Sequence, residues 1–101
     1  MSISVSSTDD GSAIRITITD RFDYDVHKDF RSAYKNTPIT SEFIIDLSRA
    51  SYIDSSALGM LLLLREHLGD SARSKITING CTAEIKKILE ISNFHNLFTI
   101  T

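Results

Sequence analysis

The sequence predicts an α/β domain, because segments with the two-residue period of strands alternate with segments that have the 3.6-residue period of helices. A chain of 101 residues, 42% of them hydrophobic, suits one core and one domain over residues 1–101. The predicted order is β-β-α-β-α-β-α-β. Strand–helix–strand units with short connections imply right-handed crossovers, hence a mixed central sheet of four to five strands with helices packed against it.

The first half of the chain predicts a hairpin, a helix and a strand. The segments ISVSS and AIRITIT alternate apolar and polar residues around the turn sequence DDGS. Helical spacing follows in DRFDYDVHKDFRSAYKN, up to Pro38. Its apolar positions are Val26, Phe30 and Ala33 or Tyr34. The continuous apolar run at 43–45 predicts a strand covered on both faces.

The second half predicts two helices and two strands. An apolar helix runs to His67 or Leu68 and stops at Gly69. The alternating segment KITINGC is a strand that ends in an Asn-Gly turn, and LFTIT is a last short strand. Between them, TAEIKKILEIS predicts a helix. Its apolar face is Ile85, Ile88 and Leu89, with Thr82 or Cys81 near its cap.

The helix at 57–68 is more apolar than its position requires. Its apolar side chains cover an arc of roughly 260°, whereas a helix on a sheet needs only a little over 100°. Either a second helix or a loop covers the excess, or part of the arc is open and meets a partner protein. In the second case the open residues are Met60 with Leu63 or Leu64.

Composition excludes several classes of function. The net charge of −2, with both signs mixed along the chain, argues against a nucleic-acid partner. The longest apolar run is too short to span a membrane, and the N-terminus lacks a signal peptide. Cys81 is the one cysteine, so neither an intrachain disulfide nor a metal cluster is expected. The sequence therefore predicts a cytoplasmic protein without a metal or cofactor of its own.

Three polar residues, Asp54, Ser55 and Ser56, stand at the head of the apolar helix. Asp and Ser are preferred helix caps, but one of them suffices, which leaves a surplus hydroxyl at the helix start. A nucleophilic serine would need a base. The candidate bases are the three histidines His27, His67 and His95, and the first two are at positions expected to be exposed. The G-x-S-x-G motif of a nucleophile elbow is also missing.

Regulatory phosphorylation is a further role for the surplus hydroxyl. A phosphoserine carries about −1.5 to −2 charges at neutral pH, and the dipole of a helix N-terminus tolerates such a charge. The same charge beside Asp54 would oppose the docking of an apolar or acidic partner without changing the fold.

These residues carry a resemblance to a known family. The strand FIIDLS followed by ASYIDSSALGMLLLL resembles the core signature of STAS domains, which are found in sulphate transporters and anti-sigma factor antagonists. The ending ITINGCTAEIKKILEISNFHNLFTI also resembles that family's strand, helix and short tail, so the resemblance covers nearly the whole chain. It implies the STAS fold.

Free-standing domains of this kind resemble anti-anti-sigma factors. The resemblance implies that the unmodified protein binds an anti-sigma factor, often a serine kinase, and so releases the sigma factor. It also implies that the kinase phosphorylates Ser56 and that a metal-dependent serine phosphatase reverses this. The segment RFDYDVHKDFRSAY is similar to a Gram-negative subgroup governed by response-regulator phosphatases, with outputs in motility or biofilm formation.

A partner-binding surface is expected around the motif. Its predicted residues are Asp23, Tyr52, Asp54, Ser55, Ser56, Ala57, Leu58, Gly59, Met60 and Leu63. Asp23 and Asp25 are also candidate caps of the first helix, and Tyr52 either borders the contact surface or packs with its hydroxyl at the surface.

Two positions depart from the family pattern. The motif usually has Gly where this chain has Ala57, and the lead-in usually has Gly at Asp20 or Arg21. The second departure leaves the geometry of that loop open. The alternative function is a constitutive STAS subunit of a transporter or other assembly, in which the apolar helix is a permanent interface and the serines only cap it.

Overall fold

A computed structural model of the protein describes residues 3–8, 13–35, 42–69 and 75–101. The elements follow the predicted order. They are β1 (Ile3–Ser7), β2 (Ala13–Phe22), α1 (His27–Lys35), β3 (Glu42–Ile53), α2 (Ser55–Leu68), β4 (Ile76–Asn79), α3 (Ala83–Ile91) and β5 (Thr99–Ile100). Single 3-10 turns at Tyr24–Val26 and Phe94–Asn96 precede α1 and β5. The predicted DDGS turn and Pro38 lie outside the described residues.

The five strands form one mixed sheet in the order β1-β2-β3-β4-β5. β1 and β2 are antiparallel, as the predicted hairpin requires, and the other three pairings are parallel. Within the described residues, α1, α2 and α3 each stand in sequence between the two strands of one parallel pair. Right-handed crossovers that all step in the same direction place their helices on the same face of the sheet.

The strands accordingly bury one face. Ile16, Ile45 and Ile78 are fully buried on the helix side. On the other face Ile44 is only half-buried between Arg15 and Thr77. The expectation that the run at 43–45 is covered on both faces is therefore wrong. The run is continuous because a single apolar residue, Ile44, occupies the less covered side.

Asp46 lies on that same less covered face, where it accepts a hydrogen bond from Arg15 over 3.3 Å and one from the Ser48 N–H over 3.0 Å. Partial burial by itself raises the pKa of Asp46, but the hydrogen bonds from Ser48 and the Arg15 charge outweigh it and lower that pKa. The less covered face of β3 therefore carries the carboxylate of Asp46 at a position where a strand covered on both faces would carry an apolar side chain.

Aromatic side chains join α1 to the sheet. Phe22 at the end of β2 contacts Phe30, and Phe30 contacts Tyr34, with ring centroids 5.4 and 5.8 Å apart. The predicted apolar positions Phe30 and Tyr34 of α1 are buried, as is Val26, which lies in the 3-10 turn before the helix. On α3, Ile85 and Leu89 are buried, but Ile88 lies at the edge of the face and is 37% exposed.

The predicted glycine stops are confirmed at two positions. Gly69 ends α2 with a φ of 74°, and its N–H bonds to the carbonyl of Arg65. Gly80 follows β4 with a φ of 78°, and a Cβ there would lie 2.8 Å from the Cβ of Ser48. Both positions adopt the left-handed conformation that glycine reaches without a steric cost. Gly80 also brings the turn after β4 against β3.

Candidate functional site

Two strands and two helix starts meet at one edge of the sheet. β2 and β3 end side by side, with Phe22 paired to Ile53. Each strand is followed at once by an aspartate, Asp23 or Asp54, that caps the next helical segment. Because parallel strands present their carboxyl ends at the same edge, these two caps lie at the edge where α/β proteins commonly place their binding sites.

Asp54 caps α2. Its Oδ1 accepts hydrogen bonds from the N–H groups of Ser56 and Ala57 over 3.0 and 3.3 Å. In the described part of the chain, neither the Ser55 hydroxyl nor the Ser56 hydroxyl takes part in a hydrogen bond. Ser55 is exposed and Ser56 is half-buried. The cap is thus a carboxylate, and both serine hydroxyls are left over.

A salt-bridged arginine connects the two strand ends. Arg21 Nε donates to Asp23 Oδ2 over 3.0 Å, while the guanidinium carbon lies 3.9 Å from the centroid of the Tyr52 ring. The hydrogen bond to Asp23 raises the pKa of the Arg21 guanidinium. The other oxygen of Asp23 accepts from the N–H of Asp25, which caps the turn before α1 as predicted. Tyr52 remains 38% exposed at the border of the site.

The lead-in to this site contains a left-handed residue. Asp20 has a φ of 65°, and its carbonyl accepts a hydrogen bond from the Ser51 hydroxyl over 3.2 Å. Asp and Asn reach this conformation more readily than other residues with a side chain. Of the two positions at which the family pattern suggested a glycine, Asp20 is therefore the one with the glycine-like backbone.

The exposed part of α2 differs from the prediction. Ala57 is fully buried and Met60 is 7% exposed, so neither side chain is available to a surface partner, and Leu64 is fully buried as well. Leu62 and Leu63 are 41% and 56% exposed. The expectation of an open arc is confirmed at Leu63 and wrong at Met60 and Leu64, because the helix turns those side chains toward the core.

Gly59 and Leu58 complete the predicted surface, and both are half-buried. Apart from its chain neighbours and the backbone of α2 itself, no described atom lies within 4 Å of the place where a Cβ of Gly59 would be. Packing therefore does not require a glycine here, although glycine in a helix interior costs about 0.5–1 kcal/mol relative to alanine. The sequence analysis did not identify Leu62 or Arg21 as residues of this site. The exposure of Leu62 and the cross-strand contact of Arg21 both depend on tertiary packing.

In the described residues, the contacts of the three histidines do not involve Ser55 or Ser56. His27 Nδ1 lies 2.6 Å from the Tyr24 carbonyl oxygen, and its ring stacks on Tyr24. His67, predicted to be exposed, is half-buried with its ring centroid 5.2 Å from that of Tyr34. His95 is exposed in the 3-10 turn before β5. The described residues thus show no histidine paired with Ser56.

The described ranges contain no group of three or more His, Cys, Asp or Glu residues able to hold a metal ion. None of the helices described there has the length and apolar character needed to cross a bilayer. Cys81 is half-buried, and burial raises the pKa of its thiol, which disfavours the reactive thiolate.

Comparisons with known proteins agree with this architecture. A family model described as "Mlab, STAS domain" matches residues 5–99. A STAS-domain-containing protein of Pseudomonas aeruginosa strain UCBPP-PA14 is 47% identical over 102 residues, and the match covers 100% of both chains.

Solved structures of anti-sigma factor antagonists share the fold. SpoIIAA in its unphosphorylated form superimposes with a TM-score of 0.70 at 15% identity, covering 98% of this chain and 86% of that one. An antagonist from Mycobacterium paratuberculosis gives 0.79 at 15% identity, covering 97% and 82%. The Bacillus protein SpoIIAA in its phosphorylated form gives 0.65 at 14% identity, covering 98% and 90%. The predicted α/β fold is therefore confirmed.

Proposed function

The chain belongs to the STAS domain family, and from that premise we propose that it is a phosphorylation-switched protein-binding regulator. In this proposal the unmodified protein binds an anti-sigma factor that is also a serine kinase, and the sigma factor is released. Phosphorylation of Ser56 blocks the binding, and a serine phosphatase restores it. The likeness of the fold to anti-sigma factor antagonists supports this choice of partner. The proposal assigns no catalysis to this chain.

The capping of α2 by Asp54 is the observation that carries the proposal. Because Asp54 accepts the N–H groups of Ser56 and Ala57, the helix start is complete without the Ser56 hydroxyl. A phosphate on that hydroxyl would add about −1.5 to −2 charges without removing a hydrogen bond of the fold. The positive end of the helix dipole would partly compensate that charge, so the domain stays folded.

The binding effect follows from the surroundings of Ser56. The new charge would stand beside the Asp54 carboxylate and above the half-buried surface of Leu58 and Gly59. A partner whose contact surface is apolar or acidic would then face a solvated dianion, and juxtaposed like charges at an interface cost several kcal/mol. We assign Asp23 and Tyr52 to the border of the same contact surface, where Arg21 holds them in place.

The first experiment is phosphopeptide mapping of the protein isolated from its own cells. Trypsin releases residues 50–65 as one peptide, in which fragmentation separates Ser51, Ser55 and Ser56. We expect phosphate on Ser56 in a fraction that changes with growth condition. Absence of phosphate at Ser56 under every condition tested contradicts the switch.

Binding is then measured with tagged variants expressed in the same cells. Ser56→Asp should lower the yield of the co-purified partner by at least about a hundredfold, because like charges at an interface cost several kcal/mol. Asn96→Asp is the matched control, since it adds the same charge on the exposed 3-10 turn before β5, outside the predicted contact surface. The melting temperatures of both variants should stay within a few degrees of wild type.

The exposed leucines support a second candidate, a constitutive subunit of a larger assembly. Leu62 and Leu63 present two adjacent apolar side chains to solvent, as a permanent interface would in a free subunit. In that case a partner such as an ATPase subunit would co-purify at a fixed ratio, and Ser56→Asp would leave that ratio unchanged. The two candidates are thus separated by the same variant.

A further inference from the structure

A groove runs between the C-terminal halves of α1 and α2. It has a volume of about 490 Å³ and is lined by Arg31, Tyr34, Lys35, Leu63, Glu66 and His67. Leu63 lies open in it with 56% of its surface exposed, whereas Tyr34 is buried at its base. The groove is thus an apolar strip with a polar border, and no role in the fold accounts for the exposure of Leu63.

The border of the groove is mostly cationic. Arg31 and Lys35 stand one turn apart on α1, and both are exposed. Glu66 is the one acidic residue among the described residues that line the groove, and it is on the opposite wall. The whole chain has a net charge of −2, so this positive border is a local feature. Positive patches of this kind attract partners that carry the opposite charge.

An unpaired nitrogen adds to the polar character of the groove. His67 Nε2 is buried and has no hydrogen-bond partner within the described residues. Buried polar atoms nearly always have a partner, so an atom without one is informative. A carboxylate is a chemically suitable partner for this nitrogen, since it accepts a hydrogen bond from a protonated ring nitrogen.

The shape of the groove favours a helix over a small molecule. Small-molecule sites bury about 70–90% of the ligand surface. Here the lining residues Arg31, Lys35 and Glu66 are all exposed, which leaves the groove open along its length. An amphipathic helix laid between two helices fits such a groove, with apolar side chains on Leu63 and acidic ones toward α1.

The groove is continuous with the surface around Ser56. Leu63 lies seven residues after Ser56, which is about 20° short of two full turns and about 10 Å along the helix axis. Gly59 stands between them, and apart from its chain neighbours and the backbone of α2 no described atom lies within 4 Å of where its Cβ would be. Together Ser56, Gly59 and Leu63 form one stripe, which we call the Ser56 stripe, and its middle lets another backbone approach closely.

An ordinary protein interface is large enough to include both ends of the Ser56 stripe. A stable interface buries about 800 Å² on each partner, a patch about 28 Å across. The protein itself measures 31 × 30 × 23 Å along its principal axes. A patch of that size centred on Ser56 extends about 14 Å from it and so includes Leu63, which lies about 10 Å away along the helix axis.

We propose that the α1–α2 groove binds an acidic amphipathic helix of the same partner that the Ser56 switch controls. Only the identity of that partner rests on the proposed function; the acidic and helical character is argued from the groove. An acidic partner also explains why a phosphate at the head of the stripe is an effective block, because the two negative charges would repel each other.

Site-specific photocrosslinking tests this proposal in the cells from which the gene comes. Benzoylphenylalanine replaces Leu63 in a Ser56→Ala background, which keeps the protein unphosphorylated, and Leu62 is replaced in a matched control. We expect an adduct from position 63 at a yield at least about tenfold above that from position 62, since Leu63 lines the groove and Leu62 is not among its lining residues. Mass spectrometry should place the crosslink in an amphipathic segment rich in Asp and Glu.

Charge reversal gives the second measurement. Arg31→Glu with Lys35→Glu should lower the yield at position 63 by at least about tenfold, because like-charge contacts cost several kcal/mol. The control pair is Lys86→Glu with Lys87→Glu, which makes the same change in net charge on α3, away from the groove. Circular dichroism and thermal melting verify that each variant is folded.

The outcomes separate this inference from the proposed function. No adduct at position 63, an adduct with a second copy of this chain, or a crosslink to a neutral or basic segment overturns the inference. An adduct that survives the Arg31 and Lys35 reversal overturns it too, even if Ser56→Asp abolishes the adduct and so supports the switch. An adduct that is lost on charge reversal but retained in Ser56→Asp supports the groove and contradicts the switch.

Discussion

Hydroxyl groups at the starts of α2 and α3 are used in opposite ways. At α3 the Thr82 hydroxyl is the cap, and it accepts a hydrogen bond from the Ile85 N–H over 3.2 Å. At α2 the Asp54 carboxylate takes that place, and the hydroxyls of Ser55 and Ser56 have no hydrogen bond within the described residues. The comparison teaches that a serine at a helix start is structural only if nothing else accepts the first N–H groups.

The largest effect on stability is expected from Asp54→Ala. The change removes the acceptor of two N–H groups, so the free energy of unfolding should fall by about 1–2 kcal/mol. Urea denaturation followed by circular dichroism measures it. Asp54→Asn is the control, since it keeps an acceptor oxygen and should recover most of the loss. Equal losses in the two variants would mean that charge, rather than the hydrogen bond, is what matters.

Thr82→Ala should cost about 1 kcal/mol, because the Ile85 N–H loses its one cap acceptor. The same denaturation measurement applies, with Thr82→Ser as the variant that keeps the hydroxyl. If Thr82→Ala left stability unchanged, the contrast between the two helix starts would disappear.

Gly59→Ala should raise the free energy of unfolding by about 0.5–1 kcal/mol, because alanine favours the helix and open space surrounds the position. This change sharpens the comparison by showing that α2 is not optimised for stability near Ser56.

Gly59→Gln should weaken partner binding, because its side chain fills the middle of the Ser56 stripe, without lowering the free energy of unfolding by more than about 0.5 kcal/mol. A Gly59→Gln variant that binds as wild type would rule out close approach at this position.

Asp46 makes the same kind of local hydrogen bond as Asp54, but within a strand rather than at a helix start. Its Oδ1 accepts a hydrogen bond from the Ser48 N–H over 3.0 Å. Asp46→Asn should cost at most about 0.5–1 kcal/mol, because the Arg15 partner is more than a third exposed. The pKa of Asp46 is lowered on folding, so its contribution is present above the unfolded pKa of about 3.9 and is lost as the pH falls through the folded value.

Stability measured against pH tests that assignment. Wild type should lose more stability than Asp46→Asn between about pH 5 and the folded pKa, and the two should converge at lower pH. Parallel curves over this range would show that the carboxylate adds nothing on that face of the sheet.

The smallest effect is expected from Ser56→Ala, within about 0.5 kcal/mol of wild type, because the hydroxyl makes no hydrogen bond in the described part of the chain. Ser55→Ala serves as the neighbouring control. A loss near 1 kcal/mol in the first variant alone would make Ser56 a structural residue and weaken its reading as a switch.

Much of the fold was predictable because its signals are local. Hydrophobic periods gave the order of the elements, and Gly69 and Gly80 ended theirs as expected. The capping group was predictable as a set of three residues, yet the choice of Asp54 depends on its extended backbone, with a φ of −135°, which only the folded chain defines.

The exposed surface of the site was harder to predict because it depends on tertiary packing. A helix with an apolar arc of roughly 260° does not reveal which part faces the core. Leu63 was correctly expected to be open, but Met60 is buried and Leu62 is exposed instead. The contact of Arg21 with Tyr52 joins two strands whose pairing shifts near Asp20, and no local pattern encodes that register.

If Ser56 is the switch proposed above, capping by Asp54 would also separate the signalling state of the protein from its lifetime. Proteases in cells act mainly on the unfolded fraction, and a change of 1–2 kcal/mol in stability alters abundance several-fold. Because the Ser56 hydroxyl is absent from the hydrogen bonds that cap α2, we expect that a phosphate there would leave the unfolded fraction, and hence the rate of turnover, little changed. Cells that vary the modification of Ser56 would then change how much of the regulator is active at a constant total amount.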